Sequence, residues 1–314
     1  MSSAPRLFQI LNKRSDKIDN DLLEDILEVN AINRDLLINN DILKQLVCDY
    51  AILEKKYFEQ SLQLQNKQAQ LEEDLEAASK IQKSLLPKEV PSIKNFCFDW
   101  TYLPCEQMGG DLVNIIPAGQ DKWILYIVDV SGHGPKAAMI TVALSQFLNS
   151  SLGSKSQVDF LRPSSVMQAL EAEFPFSRFD SFFTIIYGVL DINSGDFVFC
   201  NSAHPFPLLV DENGAEYIEQ HDAMLGLGLC SEWSEIRLSL TGNKKLFFYT
   251  DGLVECVNDK NEQFGEERLQ KLVAKSKTIH GTVFNKLVHE DIISFCNGIS
   301  LKDDFTCLLI ESQF

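Results

Sequence analysis

The sequence predicts an α+β fold in which helices come first and antiparallel sheets, flanked by further helices, follow. Two observations carry that prediction. From Arg6 to Leu86 there is neither glycine nor proline. A stretch that long without them reads as helix, because those residues punctuate nearly every other structure. After Pro87 the texture changes to short β-rich apolar runs divided by turns, several in hairpin-like succession. Such succession favours antiparallel sheets over a doubly wound parallel one.

Within the first stretch, Ile18, Leu22, Ile26, Val29 and Ile32 keep helical spacing behind the capping-type cluster Asp19-Asn20-Asp21. Asn39-Asn40-Asp41 reads as a turn or a fresh helix start. Leu64, Leu71, Ala78 and Leu85 then recur at heptad spacing with Leu75 between them, a short coiled-coil-like seam that ends at Pro87. Such a seam serves either a dimer or an amphipathic helix packed on its own domain. The expected division is a helical docking or dimerisation module over 1–63, a linker helix over 64–87 and a catalytic domain over 88–314.

In that last region the expected strands are Phe96–Leu103, Trp123–Val130, Phe182–Leu190, Phe197–Cys200 and Leu246–Tyr249. The third and fourth are joined as a hairpin across Asn193-Ser194-Gly195. Helix formers replace the β-branched runs over Pro135–Leu148, Ser164–Glu173, Gly265–Ala274 and Thr282–Phe295.

The formal charge of the 314 residues is -17. That balance repels a phosphate backbone, so a nucleic-acid partner is not expected, and a protein or metal partner suits it better. No run approaches the roughly 20 apolar residues that span a bilayer, and Met1 to Asp21 lacks the apolar core of a signal peptide. A cytoplasmic protein without membrane association is the expectation. The eight cysteines form no C-x-x-C pair, which predicts reduced packing thiols and neither a zinc site nor a redox motif.

Four aspartates stand at the edges of the apolar runs: Asp111 after Gly109-Gly110, Asp129 closing Trp123–Val128, Asp251 closing Leu246–Thr250, and Asp303 before Phe305–Ile310. Strand ends are rigid supports that aim carboxylates at one point. Converging without a cation, the four would repel one another and resist ionisation. A hard divalent ion removes that difficulty, and two such ions suit phosphate-ester hydrolysis by an activated water. Any one of these acids read alone is an ordinary turn residue, Asp251-Gly252 above all.

The segment Asp129-Val-Ser-Gly-His-Gly-Pro-Lys-Ala-Ala-Met139 resembles the D-V-S-G-H-G-x-x-A-A-M signature of the SpoIIE-like branch of the PPM phosphatases. Met108-Gly-Gly-Asp111, Tyr249-Thr-Asp-Gly-Leu-Val-Glu255, Phe264-Gly-Glu-Glu-Arg268 and Asp303-Asp-Phe-Thr306 follow in that family's order and approximate spacing. Ala78-Ser-Lys-Ile-Gln-Lys-Ser-Leu-Leu-Pro87 resembles the helix that precedes its catalytic domain. The matches run from about Ala78 to the end of the chain.

The resemblance implies a β-sandwich of two antiparallel sheets flanked by helices, with metals between the sheets at one end. It implies Asp111, Asp129, Asp251 and Asp303 as metal ligands, with Val130 offering its backbone carbonyl. Two ions, Mn²⁺ or Mg²⁺, are implied as cofactors of a serine/threonine protein phosphatase. The implied substrate is a phosphorylated STAS-domain protein of a partner-switching pathway, with a regulatory protein at the N-terminal helices, while the heptad seam is read as pairing two copies into a homodimer. His133 is then either a general acid or part of the glycine turn. Asn201-Ser-Ala-His-Pro205 departs from the family's N-A-G-H-P by placing alanine where a positive-φ turn takes glycine, and His204 reads as a loop support. The competing expectations are a phosphatase for another signalling phosphoprotein, a catalytically silent binding module of the same fold, and a metal-dependent nuclease, which the acidic composition disfavours.

Overall fold

A computed structural model describes residues 41–87, 92–150 and 158–313. The helix expected over Ile18–Ile32 and the residues Asn39-Asn40 lie outside the described residues. The chain divides into two units between Leu71 and Glu72.

Helix α1, Asp41–Lys83, has 43 residues of helix, with the division falling within its sequence. It stops at Lys83, earlier than Pro87, where the seam is expected to end. Ser84, Leu85 and Leu86 instead form tight turns bonded back to Lys80, Gln82 and Lys83. No helix among the described residues is long and apolar enough to cross a membrane.

The second unit is a two-layer sandwich. Its strands are β1 (Ser92–Ile93), β2 (Phe96–Leu103), β3 (Asp111–Pro117), β4 (Lys122–Val130), β5 (Phe183–Asp191), β6 (Asp196–Ser202), β7 (Leu208–Val210), β8 (Ala215–Tyr217), β9 (Ile236–Ser239), β10 (Lys245–Tyr249) and β11 (Phe305–Ser312). One sheet has the order β1-β2-β11-β10-β7-β8 and the other β3-β4-β5-β6-β9. Every named pairing is antiparallel. Helices α2 (Pro135–Ser150), α3 (Pro163–Glu173), α4 (Phe176–Phe179), α5 (Gly252–Glu255), α6 (Glu266–Lys275) and α7 (Thr282–Cys296) complete the unit.

Period-two alternation builds both layers. In β10 and β11, Leu246, Phe248, Leu308 and Ile310 enter the core between the sheets. Phe247, Tyr249, Cys307 and Leu309 point the other way and are covered by apolar residues of α6 and α7. Phe248 meets Phe197 and Phe199 of the opposite sheet edge to face, with centroids 6.1 and 6.5 Å apart, the arrangement that ring quadrupoles favour. The five strands and four helices expected from the sequence all form, with ends displaced by at most two residues. The hairpin at Asn193-Ser194-Gly195 forms because the Asp191 carboxylate accepts the N–H groups of Asn193 and Ser194 at 2.9 and 3.1 Å, an Asx-type turn.

The alanine at 203 does sit in a left-handed turn, with φ of 52°, and its N–H donates to the Asp222 carbonyl at 2.9 Å. Left-handed backbone costs an L-residue about 1–2 kcal/mol, while glycine loses about 0.5–1 kcal/mol in chain entropy. Ala203→Gly is therefore expected to stabilise the fold by about 0.5–1 kcal/mol, read as a higher denaturation midpoint at unchanged slope. An unchanged or lower midpoint would show that the turn carries no strain.

Candidate metal centre

The site lies where strands of both sheets end together. Asp111 opens β3 and stands cross-strand from Asp129 near the end of β4, so the hairpin register fixes this pair. From the other sheet, β10 ends at Tyr249 and leads through Thr250 to Asp251, while Asp303 and Asp304 precede β11. β10 and β11 are paired along Tyr249↔Cys307, which brings these two segments to the same end.

Close backbone approach explains the glycines. A Cβ on Gly109 would collide with the Asp304 carboxylate, and one on Gly110 would lie 2.7 Å from the Val130 carbonyl oxygen. The Gly110 carbonyl in turn accepts the Val130 N–H at 3.2 Å. Val130's carbonyl is thus held against the residue that precedes Asp111. Gly132 and Gly134, with φ of 88° and 78°, turn the chain from β4 into α2, a conformation open to glycine and costly for most others.

Electrostatically the cluster is unbalanced. Burial raises the Asp111 carboxyl well above the usual range, and the nearby charges of Asp129 and Asp304 add to the rise. Asp129 is pushed up to about 8, by burial first and then by Asp251, Asp303, Asp304 and Glu255. Asp251 is pushed up to about 6 by burial, Asp303 and Glu255. Asp303 is raised chiefly by burial. Among the described residues, none of these four pairs with a lysine or arginine. Cys105, Asp303 and Asp304 have ligand atoms within 4.8 Å of one another, and a carboxylate-rich cluster with surplus negative charge and no lysine or arginine among the described residues fits a hard divalent ion, which would restore the charged forms.

Asp304 does different work from Asp303. Its buried carboxylate accepts the N–H groups of Cys105 at 2.9 Å, Gly110 at 2.5 Å and Asp111 at 3.3 Å, so it moulds the loop that carries Asp111. Thr250 donates its hydroxyl to Asp111 Oδ2 at 2.8 Å and accepts the Thr306 N–H at 3.1 Å, tying one sheet to the other. His133 Nδ1 lies 3.0 Å from a Glu106 carboxylate oxygen and is about half exposed. It sits near enough to Asp303 to lower that carboxyl's pKa when protonated, at the rim.

Gln82, in the last turn of α1, is nearly fully buried. Its amide donates to the Gly109 carbonyl at 2.7 Å and to Thr141 Oγ1 at 3.0 Å, and its oxygen accepts the Gly109 N–H at 3.2 Å. The sequence motif located this residue without revealing its role. Thr250 and Asp304 carried no separate signal beyond adjacency to Asp251 and Asp303.

The family model described as Stage II sporulation protein E (SpoIIE) matches residues 119–313. The chain belongs to the SpoIIE family. This is the branch of the PPM phosphatases that its motifs resemble, and the family segment contains Asp129, Asp251 and Asp303, with Asp111 just ahead of it. Among curated relatives, the phosphoserine phosphatase RsbP of Bacillus subtilis is 28% identical over 190 residues, covering 58% of this chain and 45% of RsbP. The phosphoserine phosphatase RsbU of the same organism is 20% identical over 286 residues, covering 90% of this chain and 82% of RsbU. The chain thus spans less than half the length of RsbP. Among solved structures, the SiaA-PP2C domain of Pseudomonas aeruginosa superposes with a TM-score of 0.68 at 15% identity, covering 79% of this chain and 97% of that one. That likeness extends the two-sheet architecture to a known PP2C fold.

Proposed function

We propose that this chain is a metal-dependent phosphoserine/phosphothreonine protein phosphatase. The reading is supported by Asp111, Asp129, Asp251 and Asp303 standing at strand ends of both sheets and raising one another's carboxyl pKa values, with no lysine or arginine partner among the described residues. Asp111, Asp129 and the Val130 carbonyl would hold cations from one sheet, and Asp251 and Asp303 from the other. Asp304, committed to three backbone N–H groups, leaves Asp303 as the freer member of its pair. Two bound ions, Mn²⁺ or Mg²⁺, would supply Lewis acidity toward a phosphoryl oxygen and the attacking water. The chain's own contribution is positional: the Asp111–Asp129 register sets one pair, Thr250 orients Asp111, and the buried setting keeps bulk water from competing.

The substrate class in this reading is a phosphorylated STAS-domain regulator in a partner-switching pathway, supported by family membership. The domain reading is a docking module over 1–63, a linker over 64–87 and the phosphatase over 88–314, with a regulatory protein docking on the N-terminal helices. Self-association is supported by α1, where Tyr50, Tyr57, Leu64 and Leu71 recur at heptad spacing, with Leu46 and Leu53 each four residues before one of the tyrosines, all exposed. Such a seam suits a second copy of the same helix.

The test is phosphate release from a phosphoserine STAS-domain protein and from p-nitrophenyl phosphate, with Mn²⁺, with Mg²⁺ and with chelator, using Asp251→Asn as control. Metal-dependent release lost in the variant is the expected result. A folded chain that binds metal yet releases nothing from either substrate would instead be a silent binding module.

A further inference from the structure

His204 lies outside the carboxylate cluster, yet it is buried to 2% exposure where β6 gives way to the loop toward β7. Its backbone is locked locally: its N–H donates to Asn201 Oδ1 at 2.9 Å, and its carbonyl accepts the Asn201 side-chain amide at 3.1 Å. The ring then lies between β5 of its own sheet and the end of β10 in the other. Nδ1 shares a hydrogen bond with Thr184 Oγ1 at 2.8 Å. Nε2 closes no hydrogen bond of ordinary geometry and has the Tyr249 backbone as its polar neighbour.

One end of this ring bonds a residue beside the cluster, and the other faces the backbone of the residue that leads into it. Thr184 is the direct cross-strand partner of Asp129 on β5. Tyr249 ends β10, immediately before Thr250, which holds Asp111, and Asp251. The ring therefore spans from the strand beside one pair of carboxylates to the strand end that delivers the others. Burial drives the imidazole pKa down to about 3, so it stays neutral and adds no positive charge to a site made for cations. A buried neutral imidazole with one partner fixed is a rigid spacer, and such outer supports govern how well metal ligands are aimed.

We propose that His204 is a positioning residue for the metal centre, a cross-sheet strut that sets the separation between the Asp129 and Asp251 sides. This rests on the metal-dependent reading given above.

The test uses the full chain with His204→Leu, His204→Asn and Thr184→Val, plus Val288→Ala in α7 as a general destabilisation control. Mn²⁺ binding to the metal-free proteins is measured by titration calorimetry, beside Tm and the KM for p-nitrophenyl phosphate. His204→Leu is expected to weaken Mn²⁺ binding about 10–100-fold with KM changed less than about twofold. Thr184→Val should weaken Mn²⁺ binding in the same direction, and it provides the readout if the leucine variant fails to fold. His204→Asn, whose amide falls near the place of Nδ1, should recover much of the affinity. Unchanged Mn²⁺ affinity in the folded His204 and Thr184 variants would overturn the proposal, as would an equal loss in Val288→Ala at matching Tm. The wild-type titration separates the two claims. No Mn²⁺ binding there removes the metal-dependent reading and the strut's role together, whereas wild-type binding with unaffected variants removes only the strut.

Discussion

Asp129→Asn is expected to make the metal-free chain more stable while reducing Mn²⁺-dependent phosphate release by more than about 100-fold, beyond the loss typical of supporting residues. The two effects share one cause. The Asp129 carboxyl is pushed up to about 8 by burial and by Asp251, Asp303, Asp304 and Glu255, from 3.8 for the free side chain. Between those values the folded chain holds a proton that the unfolded chain has released. This contribution to stability is fully present below 3.8 and is lost as pH rises through 8. Asparagine keeps the shape and removes the charge. The difference in Tm between variant and wild type should therefore be small at pH 5 and grow toward pH 8. Asp129 retains some solvent access, so the repulsion is discounted to about 1 kcal/mol, or about 2–4 °C for a unit of this size. Saturating Mn²⁺ should reverse the order, because only wild type gains the full binding contribution. Thermal melts at pH 5, 6.5 and 8, with chelator and with Mn²⁺, check both signs. A variant less stable than wild type at pH 8 in chelator would mean that the carboxylates are not in conflict.

Much of the sandwich was legible because its central strands are long and strongly apolar. Phe96–Leu103 is rich in aromatic residues, with Phe96 and Phe98 buried, and Trp123–Val128 is an unbroken apolar run, each with turn residues at both ends. The short strands were not. β7, β8 and β9 have three or four residues each, too few to show a period. Their strand state comes from pairing with longer neighbours, as Leu208↔Phe247 and Phe199↔Ile236 show. β3 was hidden for another reason: Asp111–Pro117 contains Asn114 and ends in proline, and its strand character rests on register with β4.

The four carboxylates were legible as strand-end residues, but what holds them was not. Asp304 and Asp303 are chemically identical in sequence and separate only in three dimensions, where one faces backbone N–H groups and the other the open side. Thr250 looks like any residue of a Thr-Asp-Gly turn until β10 and β11 pair. His204 was legible as a loop support, while its reach to Thr184 and Tyr249 depends on how the two sheets stack, a property that no local pattern encodes.

Gln82 is the second place where a large effect is expected, because a single amide there connects α1 to the loop that carries Asp111. The helix exposes Leu64 and Leu71 further up, but its last turn buries Ser79 and Gln82 against the sandwich. Both polar atoms of the amide are used, on the Gly109 N–H, the Gly109 carbonyl and Thr141, and Tyr102 approaches the same oxygen at 3.4 Å. Gln82→Leu keeps similar volume and leaves those backbone groups without partners in a dry setting, at about 1–3 kcal/mol for a buried polar group so stranded. The same change frees Gly109-Gly110, and with it Asp111, whose direction is set by that loop and by Asp304. Metal-dependent turnover is therefore expected to fall about 10–100-fold, more than the stability loss alone explains, since a fold with a few kcal/mol to spare remains overwhelmingly folded at 25 °C. Gln82→Glu distinguishes geometry from polarity: it keeps the acceptor for the Gly109 N–H but, when ionised, faces the Gly109 carbonyl with a second oxygen and adds charge beside the acid cluster, so it should be as damaging as leucine. If Gln82→Leu lowers Tm by several degrees and leaves the Mn²⁺ dependence and turnover untouched, the helix is only a structural flank. If turnover falls while the metal-free Tm barely moves, the last turn of α1 sets the geometry of Asp111, and any partner that shifts this helix would act on the metal centre through one side chain.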